Sequence, residues 1–108
     1  MKSSTIYYGI IPLGGSKMND YIINFLKEIM AIDSPSGYTK EVIHHCQKEA
    51  ENLGFHTHQT NKANLEIYVE GQDDYTVGFC GHVDTLGLMV RSIKSDGTLA
   101  FTNVGGPI

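Results

Sequence analysis

Residues 65–90 read LEIYVEGQDDYTVGFCGHVDTLGLMV, and the hydrophobic pattern of this stretch decides the fold. Leu65, Ile67 and Val69 alternate with more polar side chains, which is the period of a half-buried strand. A turn rich in glycine and aspartate follows, and Tyr75–Cys80 then predicts a second strand. His82 comes directly after this predicted strand, so the sequence places it at a strand end.

The last part of the sequence predicts a β-hairpin. Residues 88–93 alternate between two faces, and Thr98–Val104 returns with strand character. Between them lies Lys94-Ser95-Asp96-Gly97, a turn signal because Asp-Gly tolerates left-handed backbone.

Two amphipathic helices are predicted before the strands. Met18-Asn19-Asp20 offers N-cap candidates for the first, which the Ser34-Pro35-Ser36-Gly37 turn ends. Thr39 can cap the second helix, and Gly54 is placed as its C-terminal stop. The order of helix, helix and several strands predicts an α/β or α+β body. Residues 1–17 are expected to be a loose extension.

Composition excludes several classes of protein. The chain has 108 residues, 41% of them hydrophobic, and a net charge of −4 without a lysine or arginine cluster. The sequence therefore lacks the basic patch that is typical of proteins that bind nucleic acids or anionic membranes. Cys46 and Cys80 form no disulfide framework or Cys-x-x-Cys pattern, which fits a reducing cytoplasm. The apolar N-terminal stretch is too short to span a bilayer and makes a poor signal peptide.

His82 and Asp84 are the residues that could carry chemistry. A histidine can offer one ring nitrogen to a metal, while a nearby carboxylate accepts the other ring N–H and fixes the tautomer. Gly81 and Gly87 leave room for a bend beside the pair. His-x-Asp alone is a weak signal. The competing interpretation is a structural histidine whose ring nitrogens form hydrogen bonds near a turn.

Three separated blocks make the pattern specific. Over Met18 to Ile108 the sequence resembles the glutamyl and deblocking aminopeptidase family of dinuclear-metal metallopeptidases. The blocks are Ser34–Gly37 with the following helix to Phe55, the run Gly81–Val90, and Asp96–Leu99 with Val104–Gly106.

The resemblance implies a fold, a domain division and site roles. Residues 18–87 would be the N-terminal part of the catalytic domain, a phosphorylase/hydrolase-like zinc exopeptidase domain of two helices and mixed strands. Residues 88–108 would be the first hairpin of a β-rich dimerisation domain. His82 maps onto a metal ligand and Asp84 onto the catalytic aspartate that orients it. Thr85 departs from the glutamate often found there, which puts local polarity in doubt.

The resemblance also implies cofactors and partners. Two divalent ions, zinc or cobalt, would activate a water that attacks the peptide bond next to a free N-terminus. The other ligands and the general base come later in the family's sequence than residue 108, so this chain alone is expected not to hold the metals. Peptide substrates and a homo-oligomer, typically a dodecamer, are implied as partners.

Other interpretations stay open. The chain could be a non-catalytic interaction module, or part of a carboxypeptidase- or deacylase-type His-x-Asp hydrolase. His56 and His58 are expected to be exposed on a strand, and at most one of His44 and His45 is expected near the core. Cys80 is expected to be an inert buried thiol. The isolated chain is expected to self-associate or fold incompletely, since its strand edges would lack neighbours.

Overall fold

The computed structural model describes residues 15–72 and 74–106, which form two helices and four strands. Helix α1 covers Gly15–Met30, and helix α2 covers Lys40–Asn52. The strands are β1 (His56–Gln59), β2 (Leu65–Tyr68), β3 (Gly87–Ile93) and β4 (Leu99–Val104). Each pairs only with its sequence neighbour here, giving two antiparallel two-stranded sheets. The described residues thus have the predicted α/β character.

Helix α1 begins earlier than the sequence predicts. Met18, Asn19 and Asp20 lie inside the helix, which starts at Gly15. Their prediction as N-cap candidates is therefore wrong. No proline lies between Gly15 and Met30, so nothing in the sequence stops the helical hydrogen bonds from extending upstream. Residues 1–14 of the predicted extension lie outside the described residues.

Helix α2 has the predicted bounds. Thr39 is its N-cap residue, although the threonine side chain makes no capping hydrogen bond. Gly54 has a φ of 87°, the left-handed backbone that favours glycine after a helix end. The amide of Gly54 donates to the Glu51 carbonyl at 2.9 Å, and that of Phe55 donates to the Ala50 carbonyl at 3.0 Å. These bonds satisfy carbonyls that the helix end would otherwise leave free.

The predicted C-terminal hairpin is confirmed. Strands β3 and β4 pair antiparallel, with a bulge between Val90 and Ser92. Gly97 has a φ of 83°, and the Lys94 amide donates to the Thr98 carbonyl at 2.9 Å to close the turn. The Asp96 carboxylate accepts the Thr98 amide at 3.0 Å. These bonds are the physical basis of the Asp-Gly turn signal.

The predicted strand over Tyr75–Cys80 is wrong for this structure. None of residues 74–80 belongs to a strand, and Phe79 is 95% exposed. Strand geometry is maintained by pairing with a neighbouring strand, and no described residue offers this segment a partner. Cys80 is exposed, so the expected buried thiol is also wrong.

The core is small and centres on α2. Its fully or nearly buried apolar side chains are Val42, Ile43 and Ala50, all on α2, and α2 contacts α1, β1 and β2. Helix α1 has no buried residue. The radius of gyration is 19.4 Å, against about 13 Å for a compact domain of 100 residues. Many apolar side chains are therefore uncovered. No helix in the described part of the chain is long and apolar enough to cross a membrane.

Candidate functional site

His82 and Asp84 form a hydrogen-bonded pair in the segment before β3. The His82 Nδ1 atom lies 3.0 Å from Oδ1 of Asp84 and 3.3 Å from the Asp84 carbonyl oxygen. The segment belongs to no helix or strand, and these distances place the two side chains on the same side of the chain. The sequence predicted that these residues face each other, and the structure brings them together.

The pair leaves the other imidazole nitrogen available. For Nδ1 to bond to a carboxylate it must carry the ring proton, which puts the free lone pair on Nε2. The His82 side chain is 84% exposed, and within residues 15–72 and 74–106 its Nε2 has no hydrogen-bond partner. This is the tautomer that binds a metal through Nε2.

Ser36 holds the second carboxylate oxygen of Asp84. Its hydroxyl donates to Oδ2, the oxygen that does not face His82. This hydrogen bond, together with the one from His82, keeps the pKa of Asp84 below its ordinary value. Asp84 therefore stays ionised and accepts two hydrogen bonds at neutral pH.

The turn at 34–37 reaches the site because it is bound to residues 83–85. The Thr85 amide donates to the Ser34 carbonyl at 2.8 Å, and the Ser34 hydroxyl donates to the Val83 carbonyl at 3.1 Å. Ser34 is completely buried, and its hydroxyl and carbonyl oxygens are hydrogen-bonded in this way. Pro35 and Thr85 form an isolated parallel bridge. A single backbone bridge thus holds the turn beside the His-x-Asp segment.

Two glycines permit the close packing around this bridge. A Cβ atom on Gly87 would lie 2.7 Å from the Cβ of Pro35, which is closer than side chains tolerate. A Cβ on Gly105 would lie 2.7 Å from Cδ2 of Leu86, and Gly105 also has a φ of 79°. The second contact joins the end of β4 to the site segment.

A surface depression of about 500 Å³ lies over the pair. Its lining comes from the end of α1, from the 34–37 turn and from the segment before β3. The residues are Met30, Ser36, His82, Asp84, Thr85 and Leu86. An imidazole, a carboxylate and apolar walls at the same place suit a ligand with a polar reacting group.

Sequence reasoning missed Ser36 as a site residue. It treated Ser34–Gly37 as a turn that ends a helix, and the contact with Asp84 joins residues 48 positions apart. The signal that could have found it was the family resemblance, which already paired this block with the His-x-Asp block. A hydroxyl within a block shared with the family is a candidate for the same site.

The other histidines lie elsewhere. His56 and His58 are exposed on β1, as expected. His44 is exposed, whereas His45 is half-buried, stacks on Phe25 at 5.6 Å and lies 3.1 Å from a Glu28 carboxylate oxygen. His45 therefore joins the two helices and does not reach the candidate site.

The donor set fits one position of a metal site. A neutral imidazole oriented by a carboxylate suits zinc, cobalt and similar ions. Within residues 15–72 and 74–106, no three histidine, cysteine or acidic side chains are grouped so that they could hold an ion. A catalytic zinc needs three protein ligands, so His82 supplies at most one of them.

Comparison with known proteins shows similarity to aminopeptidases. Residues 63–108, which include His82 and Asp84, match the model of the M42 glutamyl aminopeptidase family. Over 85 residues the sequence is 35% identical to a putative aminopeptidase, YhfE, of Bacillus subtilis (strain 168). Both findings support the M42 glutamyl aminopeptidase family. The predicted family is thereby confirmed.

The similarity to the Bacillus relative covers unequal shares of the two chains. The matched region is 78% of this chain, and the chain spans a quarter (25%) of the length of the Bacillus relative. The similarity therefore supports the family, and any activity of the whole protein is a proposal.

Proposed function

We propose that this chain supplies one metal ligand and its orienting carboxylate to a metal-dependent aminopeptidase. The observation that carries the proposal is the 3.0 Å contact between His82 Nδ1 and Asp84 Oδ1, within the segment that matches the M42 family. Membership of a peptidase family supports hydrolysis of peptides, and the resemblance supports a free N-terminus as the point of attack. We also propose that the protein is located in the cytoplasm and that it forms a homo-oligomer.

Each residue has a defined role in this proposal. His82 would hold the ion through Nε2, and Asp84 keeps that nitrogen unprotonated by holding the proton on Nδ1. An ion held there would supply the chemistry of an activated water and of a polarised peptide carbonyl. Met30 and Leu86 give the depression an apolar wall against which a substrate side chain could pack.

The main alternative is a non-catalytic interaction module. It is favoured by the absence of a three-ligand group from the described residues and by the number of apolar side chains left exposed. The two proposals differ in what happens at His82. A module needs no metal there, whereas an aminopeptidase does.

Titration of the chain with Co²⁺, followed by the paramagnetic broadening of its NMR signals, tests the proposal. We expect broadening to centre on His82, with weak affinity because one imidazole is a single ligand. His82→Ala should abolish the effect there, and Asp84→Asn should weaken binding by about 10- to 100-fold.

His58→Ala is the matched control, since His58 is also an exposed histidine. It should leave the broadening at His82 unchanged. Equal broadening in the wild type and His82→Ala would contradict the proposed ligand. Tight binding of two ions per chain would contradict the expectation that ligands from elsewhere are needed.

A further inference from the structure

We propose that Ser36 is a positioning residue that sets the orientation of the His82 imidazole through Asp84. The proposal rests on the proposed metal site and deepens it. It requires that the hydroxyl of Ser36, delivered by a turn distant in sequence, determines which way the Asp84 carboxylate faces.

The first step is the division of the carboxylate between two partners. Oδ2 of Asp84 accepts the Ser36 hydroxyl, and Oδ1 faces Nδ1 of His82. A carboxylate is planar, so fixing one oxygen also fixes the direction of the other. Ser36 thereby directs Oδ1 towards the imidazole.

The second step is that the pair cannot orient itself. The side chains of His82 and Asp84 are 84% and 37% exposed. An exposed hydrogen bond contributes little by itself, because water competes for both partners and each side chain loses rotational freedom. Without a third group the ring would populate other rotamers and the other tautomer.

The third step is that Ser36 is itself held in place. Its neighbour Ser34 is completely buried and bonds to the backbone at Val83 and Thr85, while Pro35 packs against Gly87. The Tyr38 amide donates to the Pro35 carbonyl at 2.7 Å and closes the turn around Ser36. The backbone of Ser36 is therefore held beside the His-x-Asp segment, within reach of Asp84 for the serine hydroxyl.

The tautomer of His82 is a direct measure of this positioning. The ¹⁵N chemical shifts of the two ring nitrogens give the ratio of the Nδ1–H to the Nε2–H form in the neutral ring. We compare Ser36→Thr with Ser36→Val, which have nearly the same shape and differ by one hydroxyl. Ser36 is exposed, so either side chain can be accommodated. Ser95→Val, in the hairpin turn, is the control for a distant hydroxyl.

Ser36→Thr should keep the wild-type ratio, and Ser36→Val should lower it by about two- to fivefold, the range expected for an exposed charged contact. Equal ratios in the threonine and valine variants would overturn the proposal, whatever their backbone signals show. The measurement uses no metal. If Ser36→Val lowers the ratio but Co²⁺ causes no broadening at His82 in the wild type, the role of Ser36 is supported and the proposed metal site is contradicted. If the ratio is unchanged in Ser36→Val but Co²⁺ does broaden signals at His82, only the role of Ser36 is contradicted.

Discussion

Pro35 packs directly on Gly87, and a Cβ atom at position 87 would lie 2.7 Å from the proline Cβ. Gly87→Ala should therefore push the 34–37 turn away from the site segment. We expect a loss of about 1–3 kcal/mol in the free energy of unfolding, the usual cost of inserting a methyl group into a packed contact. Denaturant unfolding measures this value.

Gly78→Ala is the matched control for this prediction. A methyl group on Gly78 would have no heavy atom within 4 Å, and the backbone there is not left-handed. The substitution should change stability by much less than Gly87→Ala. An equally small loss in both variants would contradict the prediction, because it would show that Pro35 moves aside without cost.

A second prediction concerns activity in a longer protein. The matching segment of the Bacillus relative can be replaced by this chain, with which it shares 35% identity over 85 residues. If the hybrid hydrolyses aminoacyl 4-nitroanilides, His82→Ala should lower kcat/KM by at least about 1,000-fold because a metal ligand is lost. Asp84→Asn should lower it by about 10- to 100-fold.

His58→Ala in the same hybrid should have no effect. Full activity of the His82→Ala hybrid would contradict the ligand role. An N-acetylated peptide should not be cleaved, because the proposal requires a free amino group on the substrate.

Local patterns in the sequence were sufficient for α2 and the C-terminal hairpin. Gly54 and Gly97 adopt the left-handed backbone expected of them, and both signals depend only on neighbouring residues. The segment Tyr75–Cys80 shows the limit of such patterns. Its alternation is genuine, but strand structure also requires a paired neighbour, and the local sequence contains no information about one.

The third prediction uses the contact between the helices. The Tyr21 hydroxyl donates to a Glu49 carboxylate oxygen at 2.7 Å. Burial of the hydroxyl, aided by this hydrogen bond, raises the pKa of Tyr21 from 10.0 to about 12. The folded chain holds this proton more tightly than the unfolded chain, so the contact stabilises the fold fully below pH 10 and is lost as the pH rises towards 12.

The midpoint of unfolding should fall more steeply with rising pH for the wild type than for Tyr21→Phe, over the range from pH 10 to about 12. Tyr75→Phe is the control, because Tyr75 is an exposed tyrosine. Parallel curves for the wild type and Tyr21→Phe would contradict the assignment.

The two thiols should differ in reactivity. Cys80 is exposed, whereas Cys46 is partly covered and burial raises the pKa of its thiol. A disulfide reagent at mildly alkaline pH should modify Cys80 at least about tenfold faster than Cys46, since the thiolate is the reactive form. Cys80→Ser should remove the fast phase. A single phase in the wild type would show that Cys46 becomes equally accessible in solution.

Self-association of the isolated chain stays a prediction. Each sheet has two strands and therefore two free edges among the described residues, and apolar side chains such as Ile67 and Phe79 are exposed. Sedimentation should show association that increases with concentration. Ile67→Lys on β2 should weaken it by at least about fivefold, and Gln59→Lys on β1 should have less effect, because it removes no apolar surface. A monodisperse monomer with a cooperative thermal transition would count against it.

The sequence predicts His82 and Asp84 as site residues but not Ser36, and the reason is physical. His82 and Asp84 are two positions apart, so their contact is visible in the local sequence. Ser36 and Asp84 are brought together only by tertiary structure, through the bridge between Pro35 and Thr85. No periodicity or turn signal encodes a contact of that range, so it becomes apparent only in the folded chain.

The bridge between Pro35 and Thr85 also has a kinetic consequence. It joins segments about 50 residues apart, as in the pair Ser34 and Thr85 with a separation of 51, whereas α2, β1–β2 and β3–β4 are built from contacts between near neighbours. Closing so long a loop costs chain entropy before its contacts are gained, and non-local contacts form slowly. The helices and hairpins can therefore form first, and the turn at 34–37 closes on His82 and Asp84 last. Substitutions far from the site that disturb α2 would delay the moment at which the site becomes complete.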